Sequence, residues 1–273
     1  MTLRQTVLPD GRRLAWRESG EGPPLVLLHG WGSSSLAFTP LVAPLAAHFR
    51  LLLPDLPGHG DSAPVADGSL EGLVADLDVW LGQVCTGPVC LGGWSLGGMI
   101  AIQLASGADQ RFSGLLLLAT TPRFTRGDDW PHGLPSTQIR AMRRNLSRRF
   151  AATLDDFFEL TLAGDAIDAE GKTTLRTLSG AADQQPDAPS AAAMLALLES
   201  QDQRALLGRL ALPTLIVHGG ADRIVPPGAA QALAAATGSA RLQILSGVGH
   251  APFWSRPQDV ANLIIAEVGR WCR

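Results

Sequence analysis

Apolar residues in this chain fall into short unbroken runs separated by longer amphipathic stretches. Leu25-Val26-Leu27-Leu28, Leu51-Leu52-Leu53, residues 89–94, 115–119 and 212–217 are such runs, and 241–245 also reads as a strand. Most are expected to be strands buried on both faces of a parallel sheet. Residues 12–18 instead alternate apolar and polar, as a half-exposed strand does. Between the runs lie helical patterns at 33–47, 69–84, 95–106, 229–236 and 257–271. Ser69 is placed to cap the second of these, with Glu71 in its first turn, and Pro257 suits the first turn of the last. Strand and helix alternating at this spacing predict an α/β fold, a doubly wound and mostly parallel sheet.

The rhythm breaks between about 121 and 203, where no buried-strand run occurs. Helices are predicted over 135–152, 154–162, 169–178 and 189–199, with a Pro- and Asp-bearing segment at 181–188. A helical insertion between two strands predicts a lid over the sheet's C-terminal edge. The expected division is a core of 1–120 and 207–273 and a lid of 121–206.

Composition narrows the function. Of 273 residues, 46% are hydrophobic and 17% charged, enough for one large core. A net charge of −3 carries no nucleic-acid signature. No apolar run reaches the length of a membrane span, and the N-terminus has no signal-peptide pattern. Cys85, Cys90 and Cys272 have no metal-ligand spacing, so reduced thiols and a cytoplasmic protein are expected. Tyrosine is absent, which excludes phenol chemistry.

The candidate chemistry centres on Gly93-Trp94-Ser95-Leu96-Gly97, which fits G-x-S-x-G between a predicted strand and helix. A serine hydroxyl needs a base. His250, in the Gly-rich loop after the run at 241–245, is the candidate. Asp222, in the loop after the run at 212–217, is the candidate acceptor for the other ring nitrogen. The order Ser95, Asp222, His250 is the one that accompanies this elbow. Two oxyanion donors are then expected, the backbone N–H of Leu96 and that of Trp31 in His29-Gly30-Trp31-Gly32. His29 and His59 are read as backbone partners that hold their loops. His48, His132 and His218 are read as structural or solvated. Asp55 also ends a strand, but it precedes the nucleophile in the chain.

On these motifs the chain resembles the α/β-hydrolase superfamily. It is more narrowly similar to the pimeloyl-acyl carrier protein methyl ester esterases of biotin synthesis. The likeness is carried by Leu27 to Gly32, Asp55 to Gly60, Gly93 to Gly98, Asp128-Asp129-Trp130-Pro131 and Gly249 to Phe253. The resemblance implies a serine carboxylesterase, without cofactor or metal, that removes a methyl group from a carrier-bound acyl chain. It implies substrate contacts at Trp31, Ser95, Leu96 and His250, and at the lid segment Phe157-Phe158-Glu159-Leu160-Thr161. The family's carrier-docking arginines are not matched there, since Asp155 and Asp156 precede Phe157. A basic run does lie upstream, Arg140, Arg143, Arg144, Arg148 and Arg149, with Arg140, Arg144 and Arg148 four apart on one helical face. Acidic carrier protein is the expected partner of that face, with the solvated-face reading weighed equally. No nucleic acid or membrane partner is expected, and a monomer is. A general esterase of short acyl esters is the alternative. A binding protein on a hydrolase fold is the remote one, since such proteins lose a catalytic residue.

Overall fold

The computed structural model describes residues 1–64, 68–107, 111–179 and 184–271. Its strands are β1 (Thr2–Val7), β2 (Arg13–Ser19), β3 (Pro24–Leu28), β4 (Arg50–Pro54), β5 (Val89–Trp94), β6 (Phe112–Leu118), β7 (Thr214–Gly219) and β8 (Ala240–Leu245). They form one sheet in the order β1-β2-β4-β3-β5-β6-β7-β8. β2 is antiparallel to both β1 and β4, and the other pairs are parallel. The α/β reading therefore holds, with β3, β4, β5, β6 and β7 largely buried and β8 a partly exposed edge strand.

The helices are α1 (Thr39–Ala46), α2 (Leu70–Val84), α3 (Leu96–Ala105), α4 (Ser136–Arg148), α5 (Phe150–Thr161), α6 (Ala169–Leu178), α7 (Ala188–Ser200), α8 (Arg204–Leu207), α9 (Pro227–Ala236), α10 (Pro252–Ser255) and α11 (Pro257–Trp271). α3 has nine buried residues of ten, as expected of a helix apolar on all sides. Its burial fixes the elbow in the middle of the core. α4 to α8 all lie between β6 and β7 in the chain.

Four details depart from the sequence reading. β1 was not foreseen, because its side chains are exposed at all positions but Thr6 and it has no apolar run. Residues 33–47 form a 3-10 turn, Ser35–Phe38, before α1. The break expected between the helices at 135–152 and 154–162 falls earlier, at Arg149 (φ −148°, ψ 62°), so α5 starts at Phe150. Cys90 is disulfide-bonded while Cys85 is free, which corrects the expectation of three reduced thiols. Cys272 and residues 181–183 of the Pro- and Asp-bearing segment lie outside the described residues. Among the described residues no helix is long and apolar enough to cross a membrane.

Ser69 caps α2 as expected, its side chain accepting from Gly72 N–H at 2.9 Å. α2 buries Leu73, Leu77 and Trp80 in the core. Ser69→Ala is expected to cost about 1 kcal/mol of stability with ester hydrolysis unchanged, as read by urea unfolding beside an activity assay.

Candidate active site

β5 is buried along its whole length and delivers Ser95 at its C-terminal end. Ser95 has φ 55° and ψ −115°, a left-handed backbone that a side chain rarely adopts. Its N–H is fixed by the Leu118 carbonyl at 2.9 Å. The turn is possible only because the backbones around it touch. A methyl on Gly93 would overlap the Gly97 carbonyl group, and one on Gly97 would overlap the Leu28 carbonyl. The first turn of α3 thus presses against the ends of β5 and β3. Leu96 is the first residue of α3, so its N–H has no acceptor within the helix. The loop His29 to Gly32 follows β3 on the same side.

Asp222 and His250 sit on neighbouring loops joined by Ala221 N–H to the Val248 carbonyl at 2.8 Å. Both side chains are fully buried, and His250 Nδ1 lies 2.7 Å from Asp222 Oδ2. Asp222 Oδ1 accepts from Ile224 N–H at 2.8 Å and Val225 N–H at 2.9 Å. Burial pushes the Asp222 carboxyl up. The His250 charge and hydrogen bonds from His218 and His250 outweigh burial and hold it well below the usual carboxylate range. With Nδ1–H directed at a carboxylate, His250 keeps its Nε2 lone pair for a substrate-side proton. That Nε2 is buried without a hydrogen-bond partner among the described residues. The Trp94 indole N–H donates to the His250 carbonyl at 2.9 Å, seating the histidine against the residue before Ser95.

His218 is the residue that the sequence reading missed. It is buried with Nε2 2.8 Å from the Val225 carbonyl and 3.3 Å from Asp222 Oδ2. Its only sequence signal is its place four residues before the acid on the same strand-to-loop junction.

The other calls find their places. His29 Nδ1–H donates to the Gly30 carbonyl at 2.9 Å, and its Nε2 accepts from Leu56 N–H at 2.9 Å. It holds the Trp31 loop to the loop after β4. His59 Nδ1 lies 3.3 Å from the Pro57 carbonyl. Asp55 is committed elsewhere, accepting from Ser35 N–H at 2.8 Å and Arg17 at 3.1 Å. Among the described residues no group of three or more His, Cys, Asp or Glu could hold a metal ion.

The expected lid segment is split by its helix. Trp31, Trp94, Phe157, Phe158 and Thr161 line a cavity of only about 20 Å³, room for about one water. The Trp31 indole N–H donates to the Ala191 carbonyl of α7 at 2.9 Å, and Phe157 meets the Trp31 ring edge-on at 4.8 Å. Glu159 is not brought there: it is exposed and paired with Lys172 at 2.8 Å. Leu160 lines a second cavity of about 500 Å³ between α4 and α5, with Ile139, Met142, Phe157 and Arg223. Of the arginines, Arg143 pairs with Glu199 at 3.3 Å and Arg149 with Asp156 at 2.9 Å. Arg140 donates to Ser136 at 3.2 Å. Arg144 and Arg148 are exposed without an ion-pair partner among the described residues.

The buried histidines make a pH prediction. Burial is the main cause that pushes His29 down to about 4 and His59 down to about 3. In the unfolded chain both titrate near 6.5. Below pH 6.5 the unfolded chain takes up protons that the folded chain refuses, so stability rises with pH in this window. It is complete above about pH 6.5 and is lost as pH falls toward 4 and then 3. His29 accounts for on the order of 3 kcal/mol and His59 for about 5 kcal/mol. Urea unfolding at pH 7, 6 and 5 is expected to show the decline; equal midpoints at all three would contradict it.

Comparison with known proteins places this geometry. A model of the alpha/beta hydrolase family matches residues 25–263. A pimeloyl-[acyl-carrier protein] methyl ester esterase of Xanthomonas oryzae is 39% identical over 250 residues, 90% of this chain and 94% of that protein. Its namesake in Nitrosomonas europaea is 38% identical over 249 residues, 89% of this chain and 95% of that protein. The esterase of Exiguobacterium antarcticum superposes with TM-score 0.89 at 23% identity, covering 97% and 98% of the two chains. A bromoperoxidase of Bacillus anthracis superposes at 0.90 with 21% identity, covering 98% and 100%. Those two likenesses show the fold alone, while the family match and the two esterases span most of the sequence. The chain belongs to the alpha/beta hydrolase family.

Proposed function

We propose that this protein is a serine carboxylesterase that hydrolyses the methyl ester of pimeloyl-acyl carrier protein, with Ser95, His250 and Asp222 as its triad. The observation that carries the chemistry is the buried Asp222–His250 pair, seated through Trp94 against the strained turn that presents Ser95. The identity to esterases of that name over nine-tenths of the chain carries the substrate. A carrier-linked substrate places the enzyme in the cytoplasm, and residues 121–206 act as its lid.

In this reading Ser95 Oγ attacks the ester carbonyl while His250 Nε2 takes the hydroxyl proton. The oxyanion is held by the N–H groups of Leu96 and Trp31. His250 returns the proton to the departing methoxide, releasing methanol and leaving an acyl-Ser95 ester. Water then attacks that ester with His250 again as base, and the free carboxylate departs. Asp222 stays ionised and orients the imidazole. Hydrogen bonds between nucleophile and base often tighten only with substrate bound, which accommodates an unpartnered Nε2. Trp31, Phe157, Phe158 and Thr161 form the wall around the acyl group.

Ser95→Ala is expected to lower kcat by about 10⁶-fold with an unchanged melting temperature. Residual activity of more than a few per cent would overturn the nucleophile. His250→Ala should match it, and Asp222→Asn should lose less. The substrate is tested by mass spectrometry of methyl pimeloyl-carrier protein before and after enzyme, and by rescue of a biotin-requiring host that lacks its own esterase. Failure of both alongside rapid cleavage of short-chain esters would favour the general esterase.

The exposed face of α4 is the proposed docking surface for the acidic carrier protein. Reversing Arg140, Arg144 and Arg148 to Glu should lower kcat/KM for the carrier-linked ester by about tenfold or more, leaving a small nitrophenyl ester nearly unchanged. The wild-type rate on the carrier-linked ester should also fall as salt shortens the screening length to about 8 Å. Equal losses on both esters would assign the face to lid folding instead.

A further inference from the structure

The turn that ends α5 touches both loops of the acid–base pair. His250 N–H donates to the Thr161 carbonyl at 3.0 Å. The preceding N–H, of Gly249, donates to Asp165 Oδ1 at 2.7 Å. Two glycines make this approach possible. A methyl on Gly249 would stand 2.9 Å from both Asp165 Oδ2 and the Thr161 carbonyl. Gly164, at φ +102°, lies so close to Ala221, the neighbour of Asp222, that a methyl would stand 2.7 Å from its Cβ. Residues 161–165 are therefore wedged against the histidine loop and the aspartate loop together. Asp165 is half-buried, 85 residues away in sequence from the histidine whose loop it grips.

We infer that Asp165 is a positioning residue for His250, acting from the inserted helices to fix the height of the general base. The inference rests on His250 being that base. Asp165 touches neither substrate nor the reacting nitrogen. It accepts the N–H one residue before His250, and together with the Thr161 carbonyl it satisfies two successive backbone donors of a glycine loop. The same helix carries Phe157 and Phe158 into the cavity wall. A shift of α5 that widens the cavity therefore also slackens the base, so the site is fully assembled only with α5 seated.

The test compares Asp165→Ala, Asp165→Asn and Gly249→Ala with the wild-type full chain on a small nitrophenyl ester, melting temperatures measured alongside. Asp165→Ala removes the acceptor and is expected to lower kcat by about 10- to 100-fold, the scale of a misplaced catalytic group, with KM within about threefold. Asp165→Asn keeps an oxygen for the Gly249 N–H and should restore kcat to within about threefold of wild type. Gly249→Ala should reproduce the loss in kcat by prying the turn away from the loop. Wild-type kcat in Asp165→Ala, or a loss confined to KM with a lowered melting temperature, would overturn the assignment. An asparagine variant as slow as the alanine variant would do so as well. His250→Ala separates the two levels. If it is inactive while Asp165→Ala is normal, only the positioning role falls; if it is active, the base assignment falls with it.

Discussion

The structure depends on one close approach: the first turn of α3 lies directly against the ends of β3 and β5 with no side chain between them. Gly93 faces the Gly97 carbonyl group, Gly97 faces the Leu28 carbonyl, and Gly98 faces the Thr120 side chain. Any Cβ at these points would force the helix off the sheet. Because the helix cannot move off, Ser95 is held in a left-handed conformation that costs on the order of 1–3 kcal/mol. The surrounding core over-determines that conformation. α3 is buried on nearly every side, and the Ser95 N–H is fixed to β6. The parallel register places Leu28 beside Gly93 and Trp94 beside Leu118. Every loop that supplies the site then leaves the same edge of the sheet.

Burial gives opposite results for the ionisable groups around that edge, and the partners decide which. Asp222 is buried and charged because two backbone N–H groups and two imidazoles face its oxygens. His29 and His59 are buried and neutral because carbonyls and an amide, not carboxylates, are their hydrogen-bond partners. The His29 Nε2 and Asp222 Oδ2 bonds fix separate loops against one another. Asp55 does the same, joining Arg17 to the turn that starts at Ser35. The polar network behind the site is thus scaffolding. It leaves His250 Nε2 as a buried acceptor uncommitted to the protein.

Much of this was legible in the chain because it rests on local patterns. Unbroken Leu and Val runs marked the central strands, Ser69 its helix start, and Pro257 the start of α11. Gly-x-Ser-x-Gly and the loops of Asp222 and His250 stood at ends of such runs. What escaped lies in tertiary contacts that leave no period. β1 has no buried face beyond Thr6, so pairing with β2 rather than hydrophobicity makes it a strand. The break between α4 and α5 falls at Arg149, inside the stretch expected as the first of two helices. Glu159 shares a segment with Phe158, yet the turn of α5 carries it out to Lys172. His218 and Asp165 are ordinary residues in sequence; only the folded chain brings them to Asp222 and the Gly249 N–H.

The last constraint is volume. A cavity of about 20 Å³ against the Trp31 and Trp94 rings admits no acyl chain, whereas the space on the far side of Phe157 is about 500 Å³. Phe157 lines both, so it is the wall that separates them. Its ring is held edge-on to Trp31, a contact worth about 1 kcal/mol beyond its buried area. That contact can be exchanged for contact with an apolar substrate at little net cost. The other supports of α5 are not exchangeable in this way. Phe158 is sandwiched between Trp254 and the Arg176 guanidinium, and Thr161 holds the His250 N–H. Phe157 and Thr161 stand on one helix, so a displacement of α5 that opened the wall between the cavities would also shift the carbonyl that holds the His250 N–H.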